Sequence, residues 1–241
     1  MRATTSGGAF AAASAAMIRG VDGASTVHTL LADCLGLLGA DAADVLVRVD
    51  RGLELMAATS HRSTELELYQ AHVHDGPCVE TIETGESVAV VGEAALRSRW
   101  PDFGRSMAAA GFETVLASPM HWHEHVIGGL NLFWSTSRTL GREEQDLARA
   151  FADIATLALM QSPTTDDPDA VTRRLRAALQ GRVVIERAKG VLAQTDDLEM
   201  DEAFARLVEV SDLTSRPLSQ VAQEVLDDIV AARPSATRHD L

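Results

Sequence analysis

One short basic segment holds the residues of this sequence that are best suited to bind a partner. Residues 172–192 carry six basic side chains and a single acid, a local net charge of +5, whereas the 241-residue chain has a formal net charge of −14. The basic residues are Arg173, Arg174, Arg176, Arg182, Arg187 and Lys189, the only lysine of the chain. Positive charge concentrated on an acidic chain is typical of a binding site for a polyanion.

The spacing within this segment suggests how such a partner would be held. Arg182 and Lys189 are two helical turns apart, so they share a face and could bridge neighbouring phosphates. Arg187 projects from another side, where its guanidinium could stack on a base or form a forked hydrogen bond. Ala188 and Gly190 are small enough to let a nucleotide loop approach an exposed basic face. A solvated ion-pair ladder is the alternative interpretation, because Glu186 lies four residues from Arg182 and three from Lys189.

The composition limits the class of protein. Apolar residues make up 46% of the chain, enough for real cores, and no apolar run reaches the length of a membrane span. Two cysteines do not form a disulfide framework, so we expect a soluble cytoplasmic protein. The Ala-, Gly- and Ser-rich residues 1–24 predict a disordered lead rather than a signal peptide. The overall acidity argues against general nucleic-acid affinity, so any such binding must be local.

Two prolines and three acids within residues 161–169 interrupt a helical pattern and predict a linker over residues 162–169. Before it, the patterns predict an α+β domain over residues 25–161, with a mostly antiparallel sheet flanked by helices. The predicted helices are 26–38, 97–110 and 140–160, and the predicted strands are 44–49, 53–58, 88–91, 114–120 and 126–134. After the linker, helices over 170–192, 200–210 and 217–230 predict a three-helix bundle within residues 170–232, followed by a flexible tail over 233–241.

The C-terminal region resembles the ANTAR domain, an RNA-binding module of bacterial antitermination regulators. Three motifs in order carry the resemblance: Arg187-Ala188-Lys189-Gly190, then Ala203-Phe204, then Leu218 with Val221-Ala222. The resemblance implies that the chain holds a two-hairpin RNA fold that competes with a terminator stem. It also adds Arg216, at a position where the family often has a basic residue, to the candidate RNA contacts Arg182, Arg187, Ala188, Lys189 and Gly190.

The first domain resembles the GAF domains that are often joined to ANTAR domains. The motifs that carry this resemblance are Asp75-Gly76-Pro77-Cys78, Thr84-Gly85-Glu86-Ser87-Val88, Trp100-Pro101-Asp102-Phe103, Ser118-Pro119-Met120 and Ile127-Gly128-Gly129-Leu130-Asn131-Leu132-Phe133. The resemblance implies a sensor or dimerisation domain, with an unknown small ligand as a possible partner. Cys78 could be a redox-sensitive thiol, although a buried, inert cysteine is the preferred interpretation.

The pattern as a whole predicts an RNA-binding regulator rather than an enzyme. We find no nucleophile elbow, phosphate loop or defensible carboxylate pair, and no cofactor is expected. The histidines of residues 72–74 and 121–125 fit surface turns better than a metal site, and none is predicted. The alternative function is a small-molecule or redox sensor whose helical C-terminal module docks a protein partner.

A homodimer is expected through the helices that flank the linker. Apolar stripes at three- and four-residue spacing continue on both sides of the prolines and are wider than one small domain needs. The stripes consist of Leu147, Phe151, Ile154 and Ala158 before the linker, and of Leu175, Leu179 and Val183 after it. Pairing of two chains would bury both stripes and present two basic helices to RNA.

Overall fold

A computed structural model describes residues 3–50, 52–160, 168–214 and 216–232. The helices are α1 (Ser6–Ile18), α2 (Gly23–Leu38), α3 (His61–Val73), α4 (Pro77–Thr84), α5 (Glu93–Arg99), α6 (Pro101–Ala109), α7 (Arg142–Leu159), α8 (Pro168–Asp196), α9 (Met200–Thr214) and α10 (Leu218–Ala232). The strands are β1 (Ala42–Val49), β2 (Gly52–Ala58), β3 (Val88–Val91), β4 (Thr114–Trp122) and β5 (His125–Trp134). The predicted tail and most of the predicted linker lie outside the described residues.

The first domain is built on one five-stranded sheet with the order β2-β1-β5-β4-β3. Every neighbouring pair in this sheet is antiparallel, which confirms the predicted α+β class. Alternation sends Ala43, Val45 and Val47 of β1 into the larger core, which α2 and α7 cover. The intervening residues of β1 face the opposite side, where α3 to α6 pack.

Residues 6–18 form helix α1, so the expected disordered lead is corrected for the described residues of this segment. Thr5 caps the helix by accepting a hydrogen bond from the Gly8 N–H at 3.1 Å. Ala9 and Ala13 are buried, and the Phe10 ring meets the Phe151 ring edge-on with centroids 5.0 Å apart. The Ala-rich composition therefore reflects close packing of α1 on α2 and α7, because small side chains let helices approach closely.

The single helix predicted over residues 97–110 is two helices, α5 and α6. Pro101 starts α6, and the residue before it, Trp100, has the non-helical dihedrals φ −132° and ψ 89°. The proline ring disfavours helical geometry at the preceding residue and is well tolerated at the first position of a helix. Gly104 of α6 leaves no room for a side chain, because a Cβ there would lie 2.7 Å from the backbone nitrogen of Arg97 on α5. The two helices therefore pack backbone to backbone at this point.

The C-terminal region is the predicted helical bundle, formed by α8, α9 and α10. Its core includes Ala188 of α8, Leu207 of α9 and Val221 of α10. Helix α8 also packs on α2, β1 and β2, so the bundle and the first domain share one continuous apolar core. Among the described residues, no helix combines the length and the apolar character needed to cross a bilayer.

The apolar stripes that predicted a dimer are largely covered inside this chain. Phe151 and Ala158 are buried under α1 and α2, and Leu175 and Leu179 are buried where α8 meets the first domain. Among the residues of these two stripes, only Val183 is exposed, with 46% of its surface accessible. The premise that the stripes exceed the needs of one chain is therefore corrected, because the sequence pattern could not show that α1 and β2 cover them.

Candidate nucleic-acid interface and interior polar cluster

Lys189 is buried, which corrects the prediction that it lies on an exposed basic face. Only 7% of the residue is accessible. Its ammonium donates hydrogen bonds to both carboxylate oxygens of Glu186 at 3.1 Å. It also lies 5.5 Å from the centre of the Phe204 ring, within the range of a cation–π interaction. Lys189 therefore links α8 to α9 inside the bundle, because the ring of Phe204 in the Ala-Phe pair of α9 faces its ammonium group.

Arg182 shares the face of Lys189, as the seven-residue spacing predicted, but this face turns toward the first domain. The Arg182 guanidinium donates to the carbonyl oxygen of Leu55 on β2. Burial lowers the pKa of Arg182, and the negative charges of Glu186 and Glu54 oppose that shift. Arg182 and Lys189 are thus brought together with Glu186, but they do not form an open phosphate-binding pair in this conformation.

Arg187 and Gly190 lie on the exposed side of α8. Arg187 forms no hydrogen bond or ion pair with any residue that the structure describes. A Cβ placed on Gly190 would meet nothing within 4 Å, so no neighbouring helix explains this glycine. Ala188, in contrast, is fully buried, so its small size serves helix packing and not the approach of a nucleotide. Of the four contiguous candidates over residues 187–190, Arg187 and Gly190 are exposed to solvent, whereas Ala188 and Lys189 are buried.

Arg187 and Gly190 belong to a longer exposed stripe on α8. The exposed stripe consists of residues at alternating three- and four-residue spacing: Arg173, Arg176, Gln180, Val183, Arg187, Gly190 and Gln194. It contains three arginines and no acid, so its formal charge is positive although the chain as a whole is acidic. Arg216, the candidate before α10, is separate from this stripe and half-buried, and its guanidinium forms an ion pair with Glu224.

Three contacts hold the basic helix and its neighbour against the first domain. Besides the bond from Arg182 to β2, Arg176 forms an ion pair with Asp50 in the turn between β1 and β2. The His28 ring of α2 lies 4.4 Å from the Phe204 ring of α9, measured between centroids. Phe204 therefore contacts Lys189 on one side and the first domain on the other, which links the two parts of the chain physically.

The first domain contains a second candidate site, a cluster of five polar side chains that are all fully buried. The interior polar cluster consists of Asp44 on β1, Glu67 and Gln70 on α3, Cys78 on α4 and Asn131 on β5. Asn131 Nδ2 donates to Asp44 Oδ1 at 2.8 Å, and Gln70 Nε2 donates to Glu67 Oε1 at 2.7 Å. The Cys78 backbone N–H donates to Gln70 Oε1 at 3.0 Å. The first of these bonds lies within the sheet and the last joins α4 to α3, while the hydrogen bond between the Asp44 and Glu67 carboxyl groups joins the sheet to α3.

The two carboxyl groups of this cluster face each other, and their pKa values are shifted together. Burial is the main cause that raises the pKa of Asp44 well above its usual value, against hydrogen bonding that lowers it. Burial also raises the pKa of Glu67, and the negative charge of Asp44 adds to that shift. Two carboxylates cannot both ionise at close range in a buried site, so the pair retains a proton at neutral pH. Burial likewise raises the pKa of the Cys78 thiol well above its usual value, consistent with a neutral thiol.

Of this cluster, only Cys78 was predicted from the sequence to be a notable residue, with burial as the preferred interpretation. The signal for the cluster was one acid, Asp44, inside a strand that is apolar apart from it and Arg48, and one amide, Asn131, between leucines in another. Alternation places both on the same side of the sheet, and the register makes them direct neighbours across β1 and β5. The partners on α3 could not be found in this way, because the pairing between a helix and a sheet leaves no spacing rule in the sequence.

Comparison with known proteins identifies both parts of the chain. Residues 22–159 match the family model of the GAF domain, and residues 173–226 match that of the ANTAR domain. Among solved structures, the fold is similar to the phycocyanobilin-bound GAF domain from a cyanobacterial phytochrome, with a TM-score of 0.51 and 14% identity over 66% of this chain and 96% of that chain. The phycoerythrobilin-bound GAF domain from a cyanobacterial phytochrome gives a TM-score of 0.50 at 14% identity, over the same 66% and 96%. At this identity the likeness shows a shared fold alone. No curated protein matches the chain.

Proposed function

Because this chain belongs to the GAF family and carries an ANTAR domain behind its GAF domain, we propose that it is a cytoplasmic RNA-binding antitermination regulator. It stabilises a two-hairpin RNA fold against a terminator, and its GAF domain controls this activity. The observation that carries the proposal is the exposed stripe on α8, where Arg187 has no partner within the described part of the chain and Gly190 leaves the helix surface open. An arginine of this kind can pair with phosphate or stack on an unpaired base.

The candidate contacts divide into three groups: those open to RNA, those that become open after a rearrangement, and those that support the bundle. Arg187 and Gly190 contact RNA directly, since both lie open on α8. Arg182 becomes available only when the ANTAR domain moves off β2, because its guanidinium is bound to Leu55 in this conformation. Lys189 supports the bundle through Phe204 and Ala188 through close packing, and Arg216 contacts RNA only after it leaves Glu224.

This division supports control by the GAF domain. The contacts from Arg176 to Asp50 and from Arg182 to Leu55 both engage a cation of the basic helix with the first domain, although the Arg176 side chain stays 53% exposed. A signal in the GAF domain that separates β2 from α8 would release both cations at once. RNA affinity would then rise, because each additional phosphate contact releases counterions.

The test is a titration of labelled RNA that contains two adjacent hairpins, with a single hairpin for comparison. Arg187→Gln is expected to weaken binding to the paired hairpins and to lower the slope of log affinity against log salt by about 0.7 to 0.9. Arg142→Gln is the matched control, because this arginine lies on α7 with 94% of its side chain exposed and its one ion pair among the described residues is a long contact with Asp146 at 3.8 Å. Equal affinity and equal salt slope for wild type and Arg187→Gln would contradict the assigned interface.

A homodimer is part of the proposal, although its predicted contacts are covered. Pairing through the helices that flank the linker has to use the apolar side chains left exposed there, Leu157 on α7 at 48% and Val183 on α8 at 46%. Light scattering at micromolar concentration is expected to give about twice the chain mass of 25.7 kDa. A mass near 25.7 kDa would contradict the dimer. Leu157→Ser with Val183→Ser tests the contact without opening the core.

A further inference from the structure

A partly enclosed cavity of about 160 Å³ lies where the first domain meets the C-terminal bundle. Its walls come from α1 and α2 on one side and from α9 and the first residue of α10 on the other. Helix α1 packs on α2 and α7, so it leaves this space in front of the bundle. Small-molecule sites are common at such junctions between two packed units.

The cavity exists because one face of α1 consists of alanines. Ala9, Ala12, Ala13 and Ala16 follow each other at three- and four-residue spacing, and all four line the cavity. Their single methyl groups do not reach Val208 and Leu218, which contribute apolar surface from the bundle. An apolar cavity of about 150 Å³ stays dry and binds benzene in a well-studied case. The space between α1 and the bundle therefore has the size and the character to hold one six-membered ring.

The polar groups of the wall leave one hydrogen-bond acceptor for a ligand. The four hydroxyl groups of the lining already donate to oxygens of the chain; they belong to Ser25, Thr26, Thr29 and Ser211. Asp33 contributes a carboxylate to the lining and is only 4% exposed. Its Oδ1 accepts a hydrogen bond from the Ala3 N–H at 2.8 Å, whereas none of the described residues donates to its Oδ2. A buried acceptor without a donor is unfavourable, so a donor that enters the cavity would be stabilised there.

We propose that this cavity binds a small, neutral aromatic molecule with a single hydrogen-bond donor, of the phenol class. The ring lies against the alanine face of α1, and the donor bonds to Asp33. An anionic head group is disfavoured because it would meet the Asp33 carboxylate. Arg19, the other charged residue of the lining, is exposed and remains hydrated, so it does not select an anion.

A molecule in this cavity would join the two parts of the chain, because the walls belong to both. It would stabilise the conformation in which α8 rests on β2 and Arg182 donates to Leu55. Occupancy should then lower the affinity for RNA. This consequence rests on the proposed function, whereas binding to the cavity does not. The test below uses no RNA, so the two proposals fail separately.

The probe is phenol, and anisole is the matched control with the same ring but no hydrogen-bond donor. Calorimetric titration of the full chain is expected to give one site with a dissociation constant of about 1 mM or below for phenol, within the affinity that so few atoms allow. Anisole should bind about threefold more weakly or worse, because it cannot donate to Asp33. Phenol at about 5 mM should raise the Tm by about 2–4 °C, and benzoate should not raise it.

Two leucine substitutions on α1 locate the site. Ala16→Leu places its side chain in the cavity and should abolish both the heat of phenol binding and the rise in Tm. Ala11→Leu makes the same change on the exposed face of α1 and should retain both. If Ala16→Leu does not fold, Ala12→Leu replaces it, since Ala12 lines the same cavity from an exposed position. Asp33→Ala should remove the preference for phenol over anisole.

Four results would overturn the proposal. The first is the absence of phenol binding to wild type, or equal affinity for phenol and anisole. The second is unchanged phenol binding in Ala16→Leu, which would place the ligand elsewhere. The third is tighter binding of benzoate than of phenol, which would assign recognition to Arg19. The fourth is a lower mass of Ala16→Leu than of wild type in light scattering, which would assign the cavity to pairing of two chains.

Discussion

Stability of the folded chain should fall as the pH rises from 5 to 7, and the buried carboxyl pair should cause the fall. Both Asp44 and Glu67 have a pKa well above the usual value in the folded state. In the unfolded chain both carboxyl groups lose their protons at about pH 4. The folded state therefore binds more protons than the unfolded state above that pH. The stabilising contribution of the pair is complete below the unfolded pKa values and is lost as the pH rises through the folded ones.

The magnitude follows from the number of protons retained. One proton held by the folded pair and released on unfolding changes the free energy of unfolding by about 1.4 kcal/mol per pH unit. Between pH 5 and pH 7 the contribution should decline by roughly 2.7 kcal/mol, and by more if both carboxyls stay protonated over part of this interval. Cys78, the third titratable group of the cluster, has its pKa raised by burial and remains neutral throughout.

The assay is urea unfolding at pH 5, 6 and 7 for wild type and for Asp44→Asn with Glu67→Gln. The remaining acids of the 35 in the chain titrate in both proteins, so the difference between the two curves isolates the pair. Wild type should lose stability relative to the charge-free variant as the pH rises, and Glu65→Gln on the exposed face of α3 should follow wild type. A difference that stays constant within about 0.5 kcal/mol, or one that changes in favour of wild type, would refute the reasoning.

Three further substitutions test other parts of the structure. Lys189→Ala should lower the free energy of unfolding by about 1–2 kcal/mol, because it removes the contact with Phe204. Lys189→Met should lower the free energy of unfolding less. Equal urea midpoints for Lys189→Ala and wild type would contradict the buried role of Lys189. Gly190→Ala should raise the free energy of unfolding by about 0.5–1 kcal/mol, because the added Cβ meets nothing within 4 Å. Gly190→Leu should weaken binding of hairpin RNA more than Gly190→Ala does. Indistinguishable RNA affinities of the two variants would argue against a close approach of RNA to the helix at this position. Gly104→Ala should destabilise by about 1–3 kcal/mol, since its Cβ would lie 2.7 Å from backbone, and an unchanged Tm would show that α5 and α6 separate easily.

Local patterns predicted the parts of the fold that depend on neighbouring residues. The largely apolar segments of β1 and β5 are bounded by turn residues, and the helical spacing of α2, α7 and α8 reflects a period of 3.6 residues, so sequence alone reveals both. Helix α3 escaped prediction because its buried face is polar, so it has no apolar period to detect. Helix α1 escaped because alanines carry little periodic signal, and only its contact with α2 and α7 makes burial of Ala9 and Ala13 favourable.

The sequence by itself determined which side chains of the basic segment share a face, since helix geometry places Arg182 and Lys189 together two turns apart. It could not determine what lies opposite that face. Phe204, Glu186 and the Leu55 carbonyl cover those cations, and two of these partners come from other elements of the chain. The same limit applied to Asp44 and Glu67, which are 23 positions apart and meet only when α3 closes on the sheet. Spacing along one element is a local property of the backbone, whereas exposure and charge pairing between elements are decided by tertiary packing.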